Sequence, residues 1–369
     1  MERLNWHIAQ ELSRYAEVRV VGPAGSAALA PANVCIDEVK ATKLGAFIGR
    51  GLLAGLRISR SWRPDVVLAG SGITAPIAVF AAKACGARSA VYTHGLDLAV
   101  DHLAYRWIWL RFIARSDTVL VNSSATRTLA LAAGVRADCI HLVHPGVELP
   151  AKAGGNLDGR AFRQKHNLGD GKILLSVGRL THRKGMREFV SGALPRIASR
   201  FPECKLVVVG DVPTHALAAT GQSISSIREA ATRAGVSSNV VFVGTISDRQ
   251  ELAQAYLSAD LHVFPVRELP NDPEGFGMVA IEAAAHGVST VAYRTGGVPD
   301  AVSEGQSGSL VEPGDEIAFA RAVVALLERP LPTEKALAFA QDFSWDRIGR
   351  RLAAVLNVVN LDSQFRMRR

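Results

Sequence analysis

Cysteine is scarce. The four in 369 residues (Cys35, Cys85, Cys139 and Cys204) form no CxxC pair and no zinc spacing. That argues against a disulfide framework and fits a reduced, cytoplasmic setting. No apolar run reaches the ~18–20 residues that a membrane span needs. The opening MERLNWHIAQ lacks the apolar middle and small-residue cleavage site of a secretory leader. Aromatic residues make up only 6%, with no zinc-finger spacing and no aromatic-rich RNA motif. Nucleic acid is therefore not an expected partner. Asp-x-Asp, a common divalent-metal motif, does not occur, and neither do short repeats or low-complexity segments.

What is present is ordinary for a globular chain: 48% hydrophobic and 21% charged residues. The length predicts two domains at roughly 100–200 residues each. Net charge is +8, and residues 1–150 carry 16 Lys and Arg against 11 Asp and Glu. The tail FRMRR adds three arginines. This bias favours anionic partners, namely nucleotide phosphates or an acidic membrane surface.

Short apolar runs alternate with amphipathic stretches, which predicts βαβ units and parallel sheets. Strands are expected at 18–22, 65–70, 89–93, 118–122 and 139–144, then at 172–178, 205–210, 239–244, 261–265 and 289–293. A helix is expected at 124–134, with Ser124 at its N-cap and Gly134 at its stop. Residues 145–158 (PGVELPAKAGGNLD) are rich in Pro and Gly and read as a linker. The organisation predicted is α/β: a Rossmann-like domain over 1–150, a second over 151–342, and a final helix from 343 that packs back on the first domain, followed by a basic tail to 369. Two doubly wound domains facing across a cleft would place ligands at the carboxyl ends of their strands.

Three segments carry candidate chemistry. In PNDPEGFGMVAIEAAAHG (270–287), Glu274 sits in a Pro/Gly-rich loop that enters a helix near Met278, with Glu282 about one turn in. The first amides of a helix favour an anion, and the glycines allow close approach to the backbone. The carboxylates suit vicinal diols, as in ribose or a hexose. In isolation each also fits a solvated surface residue. In LLSVGRLTHRKG (174–185), Arg179 follows a strand and Lys184 opens the next helix. Arg grips phosphate through its planar fork and Lys acts as a point charge, so the pair suits a diphosphate; a solvated basic loop is the bland alternative. His94 follows the strand at 89–93, where a structural role is also open.

Glu-Gly-Phe-Gly with a second Glu eight positions on, preceded by Gly-Arg-Leu and Lys-Gly, resembles the retaining glycosyltransferases of family four, which have the GT-B fold. The likeness extends to HPGVEL (144–149), NSSATR (122–127) and TGGVPDAVSEGQSG (295–308). The resemblance implies that Arg179 and Lys184 hold the donor diphosphate and stabilise it as a leaving group. It implies that Glu282 binds the ribose and that Glu274 holds hydroxyls of the sugar, helped by backbone amides of Phe276, Gly277, Met278 and Val279. His94 would contact the sugar near its reacting carbon, and the base would lie near Thr245 and Ile246. The family needs no bound metal or cofactor; its co-substrate is a nucleoside-diphosphate sugar. The chain is similar to bacterial phosphatidylinositol mannosyltransferases and related enzymes, a resemblance that implies GDP-mannose or a UDP-sugar as donor and a lipid-linked or saccharide acceptor. The expected place is the cytoplasm, with peripheral contact to an anionic membrane.

One departure stands out. Family members begin with a strand and a Gly-Gly-x-Glu-Arg loop, whereas this sequence opens at Met1-Glu2-Arg3, as if inside that loop. The expectation is a first domain without its first, central strand. The run Gly70-Ser71-Gly72-Ile73-Thr74-Ala75 fits a dinucleotide fingerprint, but Thr93-His94 stands where that fold needs an acid; a tight turn is expected instead. A nucleotide-sugar epimerase and a silent nucleotide-sugar-binding protein are the rival functions. Residues 43–63 carry Leu44, Phe47, Ile48, Leu52 and Leu56 at helical spacing among arginines. They fit either a sheet-covering helix or a basic amphipathic helix on anionic lipid. YRWIWLRFIAR (105–115) is expected to pack into the core with snorkelling arginines.

Overall fold

Short β-branched runs become strands and the amphipathic runs between them become covering helices. The computed structural model describes residues 2–41, 43–150, 158–213 and 221–358. They divide into two units: Met1–Gly146 with Trp345–Arg369, and Val147–Ser344.

The first unit contains helices α1 (Glu2–Leu12), α2 (Leu44–Trp62), α3 (Ala75–Cys85), α4 (Leu96–Ala99), α5 (Leu103–Ala114) and α6 (Ser124–Ala132). Its strands are β1 (Val18–Pro23), β2 (Val34–Val39), β3 (Val66–Ala69), β4 (Arg88–Thr93), β5 (Thr118–Val121) and β6 (Ile140–Leu142). All pairings are parallel, but the strands form two sheets, β1-β2 and β3-β4-β5-β6. Val18 of β1 and Val66 and Leu68 of β3 are only partly buried, yet all three pack on one apolar cluster with Leu4, Ile8 and Leu12 of α1. Helix α6 is capped by Ser123, whose side chain accepts from the Thr126 amide at 3.1 Å, so the cap lies one residue before the Ser124 expected.

The second unit contains helices α7 (Arg160–Lys165), α8 (Met186–Arg200), α9 (Ile224–Arg233), α10 (Arg249–Ser258), α11 (Met278–Ala285), α12 (Val298–Ala301), α13 (Glu316–Glu328) and α14 (Thr333–Gln341). Strands β7 (Ile173–Val177), β8 (Lys205–Val209), β9 (Val240–Gly244), β10 (Leu261–Phe264), β11 (Thr290–Tyr293) and β12 (Gly308–Val311) form one sheet. Its order is β12-β11-β10-β7-β8-β9, and every pairing is parallel. Alternate side chains face opposite layers, as the strand period requires. Leu174, Leu206 and Val208 join the cluster under α8, α9 and α13. Their neighbours Ile173, Leu175, Val207 and Val209 join Phe162 of α7 and Tyr256 of α10. Both faces are covered, which is the doubly wound arrangement.

Helix α15 (Trp345–Val355) returns to the first unit and packs on α1. The rings of His7 and Trp345 stack at 4.5 Å, and Leu352 is fully buried. A Cβ at Gly146 would meet the Trp345 ring at 2.4 Å, so only glycine lets the chain pass there. One residue on, the Val147 amide donates to the Phe343 carbonyl at 2.7 Å inside the second unit. The expected linker residues 151–157 and the basic tail from 359 lie outside the described residues.

Candidate donor site

Strand order decides where a ligand can sit. In the second unit the order reverses between β7 and β10. Helices leaving those two strands diverge to opposite faces, and the carboxyl ends of both are left open. The segments singled out in the sequence follow these two strands and the edge strand β9.

After β7 the chain turns at Gly178 (φ 139°), and its amide donates to the Val209 carbonyl at 2.9 Å. Arg179 is exposed there. A short 3₁₀ turn, His182–Lys184, leads to Gly185 at the N-cap of α8. Gly185 has φ 66°, and a Cβ there would lie 2.2 Å from the Pro265 carbonyl. The turn therefore lies tight against the strand end of β10, and Lys184 is buried above the Phe264 ring, Nζ 4.5 Å from its centroid.

After β10 the chain runs to Glu274. The Lys184 Nζ donates to Glu274 Oε2 at 2.7 Å. Burial pushes the Glu274 carboxyl up, but Lys184 and Arg183 together outweigh it and hold the group below the ordinary carboxylate range. Burial also pulls the Lys184 ammonium down, more than Glu274 pulls it back. Their close approach is that of an ion pair in which each desolvated charge is offset by the other.

Arg183, which the sequence marks only as the neighbour of Lys184, is a clamp largely shielded from solvent. Its guanidinium donates to Asp272 and, at 3.1 Å, to the Pro273 carbonyl, and its Nε stands 3.3 Å from Glu274 Oε2. Its own carbonyl accepts from the Arg267 amide at 2.7 Å. The back of the Glu274 loop is held by Gly296 and Gly297. The Gly297 amide donates to the Glu274 carbonyl at 2.8 Å, and a Cβ on Gly297 would sit 2.2 Å from the Gly275 carbonyl. The sequence signal for this support was the TGG at 295–297, which carried no assigned role.

Gly277 (φ 98°) caps the N-terminus of α11, and Phe276 beside it is buried. Met278 and Val279 form the first turn, and the amide ends of that turn point out of the helix by its geometry. Glu282 lies four residues into α11, half-buried. Tyr256, 1% exposed at the end of α10, donates from its hydroxyl to Glu282 Oε2 at 3.0 Å. The ring of His286 stacks on Tyr256 at 5.0 Å, and its Nδ1 bonds the Glu282 carbonyl at 2.8 Å. Neither Tyr256 nor His286 was singled out in the sequence.

Beside β7, the ends of β8 and β9 are stripped to glycine. The Gly210 amide donates to the Gly244 carbonyl at 2.7 Å, and a Cβ on Gly210 would lie 2.0 Å from the Gly178 carbonyl. Thr245 follows, exposed, and Ile246 packs partly on the cluster beneath. The structure thus gathers Arg179, Lys184, Glu274, Phe276, Gly277, Met278, Val279, Glu282, Thr245 and Ile246 along the strand ends of a single sheet.

His94 belongs to the first unit, directly after β4. Its Nε2 lies 3.0 Å from the Gly70 carbonyl, and its amide donates to Asp97 Oδ2 at 3.0 Å. Burial lowers its pKa despite Asp97. Bonded to a carbonyl, Nε2 carries the proton and Nδ1 is left as an acceptor. The glycines of the decoy fingerprint are packing glycines. A Cβ on Gly70 would meet Asn5 at 2.5 Å, and one on Gly72 would meet Asp97 at 2.8 Å.

Comparisons with known proteins agree with this geometry. Residues 158–342 match the family model described as glycosyl transferases group 1, and residues 1–150 match that of glycosyltransferase family 4. A GDP-mannose-dependent α-(1-6)-phosphatidylinositol monomannoside mannosyltransferase of Mycolicibacterium smegmatis is 33% identical over 309 residues, covering 79% of this chain and 77% of the relative. A D-inositol 3-phosphate glycosyltransferase of Catenulispora acidiphila is 36% identical over 228 residues, 58% of this chain and 50% of the relative. The Anabaena protein HepE, solved in complex with UDP, superposes with a TM-score of 0.78 at 21% identity, over 96% of this chain and 95% of that one. The chain therefore belongs to the group 1 glycosyl transferases: it is a glycosyltransferase of GT-B fold, with two Rossmann-like units, that draws its sugar from a nucleotide-sugar donor.

Proposed function

We propose that the enzyme transfers mannose from GDP-mannose to a lipid-linked acceptor, with retention of anomeric configuration and without a divalent metal or resident cofactor. The observation that carries the reading is the Lys184–Glu274 pair at the reversal of strand order, 2.7 Å apart and largely shielded from solvent. It offers a cation for phosphate and a carboxylate for sugar hydroxyls in one place. Arg179 and Lys184 hold the diphosphate and offset the charge that grows as the glycosidic bond breaks. Amides from Phe276 to Val279 add donors at the helix N-terminus. Glu282 takes the ribose diol, Glu274 takes hydroxyls of the hexose, and His94 meets the sugar near the reacting carbon through its acceptor Nδ1. The acceptor hydroxyl loses its proton near Thr245 and Ile246.

The donor and acceptor assignments are supported by the mycobacterial relative, whose name specifies both. HepE, solved with UDP, supports a UDP-sugar as the second choice. No helix among the described residues is long and apolar enough to cross a membrane. A lipid-linked acceptor therefore requires work at a membrane surface, on the cytoplasmic side where nucleotide sugars are made.

Two measurements test this. Thermal stabilisation by GDP, UDP and ADP identifies the base; a ligand at 100 times its dissociation constant adds about 2.7 kcal/mol. Incubation with labelled GDP-mannose and a membrane lipid extract should then give a lipid product sensitive to α-mannosidase and unaffected by EDTA. Recovery of an epimerised nucleotide sugar, or of label only as free mannose, would overturn the reading.

A further inference from the structure

Lys184 has a single acceptor. Its Nζ donates to Glu274 Oε2 at 2.7 Å and to nothing else among the described residues. The Phe264 ring beneath it, 4.5 Å away, attracts the cation but accepts no ion-pair bond. Arg183 uses the same carboxylate oxygen, its Nε 3.3 Å from Oε2, while its guanidinium also donates to Asp272 and the Pro273 carbonyl. Both cations thus crowd one oxygen. Glu274 Oε1 accepts no hydrogen bond among the described residues. The Glu274 and Lys184 side chains keep 11% and 17% of their surface open. The pair is shielded without being sealed.

Charge in this network balances, with Arg183 and Lys184 facing Asp272 and Glu274. An anion that takes Lys184 upsets the balance. It either draws the ammonium away from Glu274 or sets its own charge beside that carboxylate. Either way a largely desolvated carboxylate loses part of its offset. Hydroxyl groups restore it, because they donate to Glu274 as Lys184 did. A diphosphate joined to a sugar brings the anion and the hydroxyls together. A bare diphosphate brings only the anion. Its terminal phosphate also ionises a second time near about pH 6, so it carries more charge at neutral pH.

We propose, on the placement of diphosphate at Lys184 and hexose at Glu274 given above, that Glu274 competes with a bare nucleoside diphosphate for Lys184, so that the pair favours the sugar-bearing donor and expels the product nucleotide. In the reaction the bond from the sugar carbon to the β-phosphate oxygen breaks, and its electron pair stays on that oxygen. The sugar carbon bonds the acceptor oxygen, and the acceptor's proton passes to solvent. The diphosphate gains one negative charge just as the hydroxyls that donate to Glu274 depart with the glycosylated product. Both changes turn Glu274 from a partner of the ligand into its rival. Arg179, exposed after β7, stands outside the pair and attracts both forms alike.

Calorimetric titration of the full chain in EDTA with GDP, UDP, inorganic pyrophosphate and GDP-mannose tests this. Glu274→Gln keeps the shape of the side chain and removes its charge. It should bind pyrophosphate, and whichever nucleoside diphosphate the parent binds, about tenfold more tightly, because a like charge beside the anion is gone. The preference for GDP-mannose over GDP should fall by about the same factor or more. Asp272→Asn removes the other acid of the network but leaves Lys184 on Glu274, and it should change pyrophosphate affinity little. In a Lys184→Met background, Glu274→Gln should add little. Glu274→Gln should also melt lower than the parent, since it leaves two cations short of an acid, and pyrophosphate should raise its melting temperature more than it raises the parent's. Unchanged or weaker pyrophosphate binding in Glu274→Gln, an equal gain in Asp272→Asn, or an equal gain without Lys184 would each overturn the competition. Pyrophosphate has neither base nor sugar. A tenfold gain with no transfer from GDP-mannose would therefore support the competition and reject the donor assigned above.

Discussion

Tyr256→Phe removes one oxygen and tests whether Glu282 holds the ribose. The hydroxyl donates to Glu282 Oε2 at 3.0 Å from a side chain only 1% exposed. It fixes one carboxylate oxygen and so orients the other toward a diol. Hydrogen bonds to charged groups contribute about 1.5–3 kcal/mol. Glu282 is only half-buried, so water can replace part of that, and about 1 kcal/mol is expected. At 1.4 kcal/mol per tenfold, nucleoside diphosphate should bind about fivefold more weakly. Calorimetry with GDP and with its 2′,3′-dideoxy analogue separates the causes. The variant should lose affinity for GDP and bind the dideoxy analogue as the parent does, because that analogue has no diol for Glu282 to accept from. In the Glu282→Ala background, Tyr256→Phe should add nothing. Equal weakening for both ligands, or additive losses in the double variant, would show that Tyr256 supports the fold and not the carboxylate.

Three further outcomes are expected. Lys184→Ala should lower kcat/KM by about 10²–10³-fold, the cost of losing one preorganised charge partner in a transition state; single-turnover transfer kinetics measure it. Gly297→Ala puts a Cβ 2.2 Å from the Gly275 carbonyl, so the Glu274 loop must move. The melting temperature should fall by the equivalent of about 1–3 kcal/mol, and affinity should drop more for the intact sugar donor than for GDP alone. His262→Phe should flatten the acid side of the stability curve. Burial, with Lys184 nearby, holds His262 down to about 3, so between pH 6.5 and 3 the unfolded chain binds a proton that the folded one refuses. Stability is therefore present above pH 6.5 and falls as pH drops, by up to about 1.4 kcal/mol per unit for this group. His94 and His286, also lowered by burial, act in the same direction. Urea unfolding between pH 6.5 and 5 avoids Glu274, and an unaltered slope in the variant would refute the assignment.

Ten strands were legible because buried parallel strands are short continuous apolar runs. The two that escaped notice, β2 and β12, are sheet edges. β2 reads VCIDEV with Asp37 half-buried against Arg19 and Glu38 exposed, and β12 is only GSLV. An edge strand is covered less, so its sequence carries less of the apolar signal. The outer face of α5 was hidden for the opposite reason. Leu103 and Trp107 point outward while Tyr105 and Trp109 point inward. A helix apolar on both sides looks like core, and only the absence of a neighbour tells the two apart.

Within the site, the residues that were legible sit in local motifs: a glycine beside a charge, at the start of a helix. The residues that were not legible act across the chain. Arg183 reaches Asp272 and Glu274 some ninety positions away, and Tyr256 reaches Glu282 from a different helix. No spacing rule connects such pairs, but topology does. With the order β9-β8-β7-β10-β11-β12, whatever follows β7 must lie beside whatever follows β10. A basic turn after one and an acidic loop after the other must then neutralise each other or be shared by a ligand. Burial without pairing would cost several kcal/mol per charge, so Arg183 and Lys184 are required by Asp272 and Glu274 before any donor arrives. The same constraint explains why Lys184 is largely covered and Arg179 is not: Lys184 closes the resting charge network with Glu274, and Arg179 is left exposed, where the diphosphate proposed above can reach it.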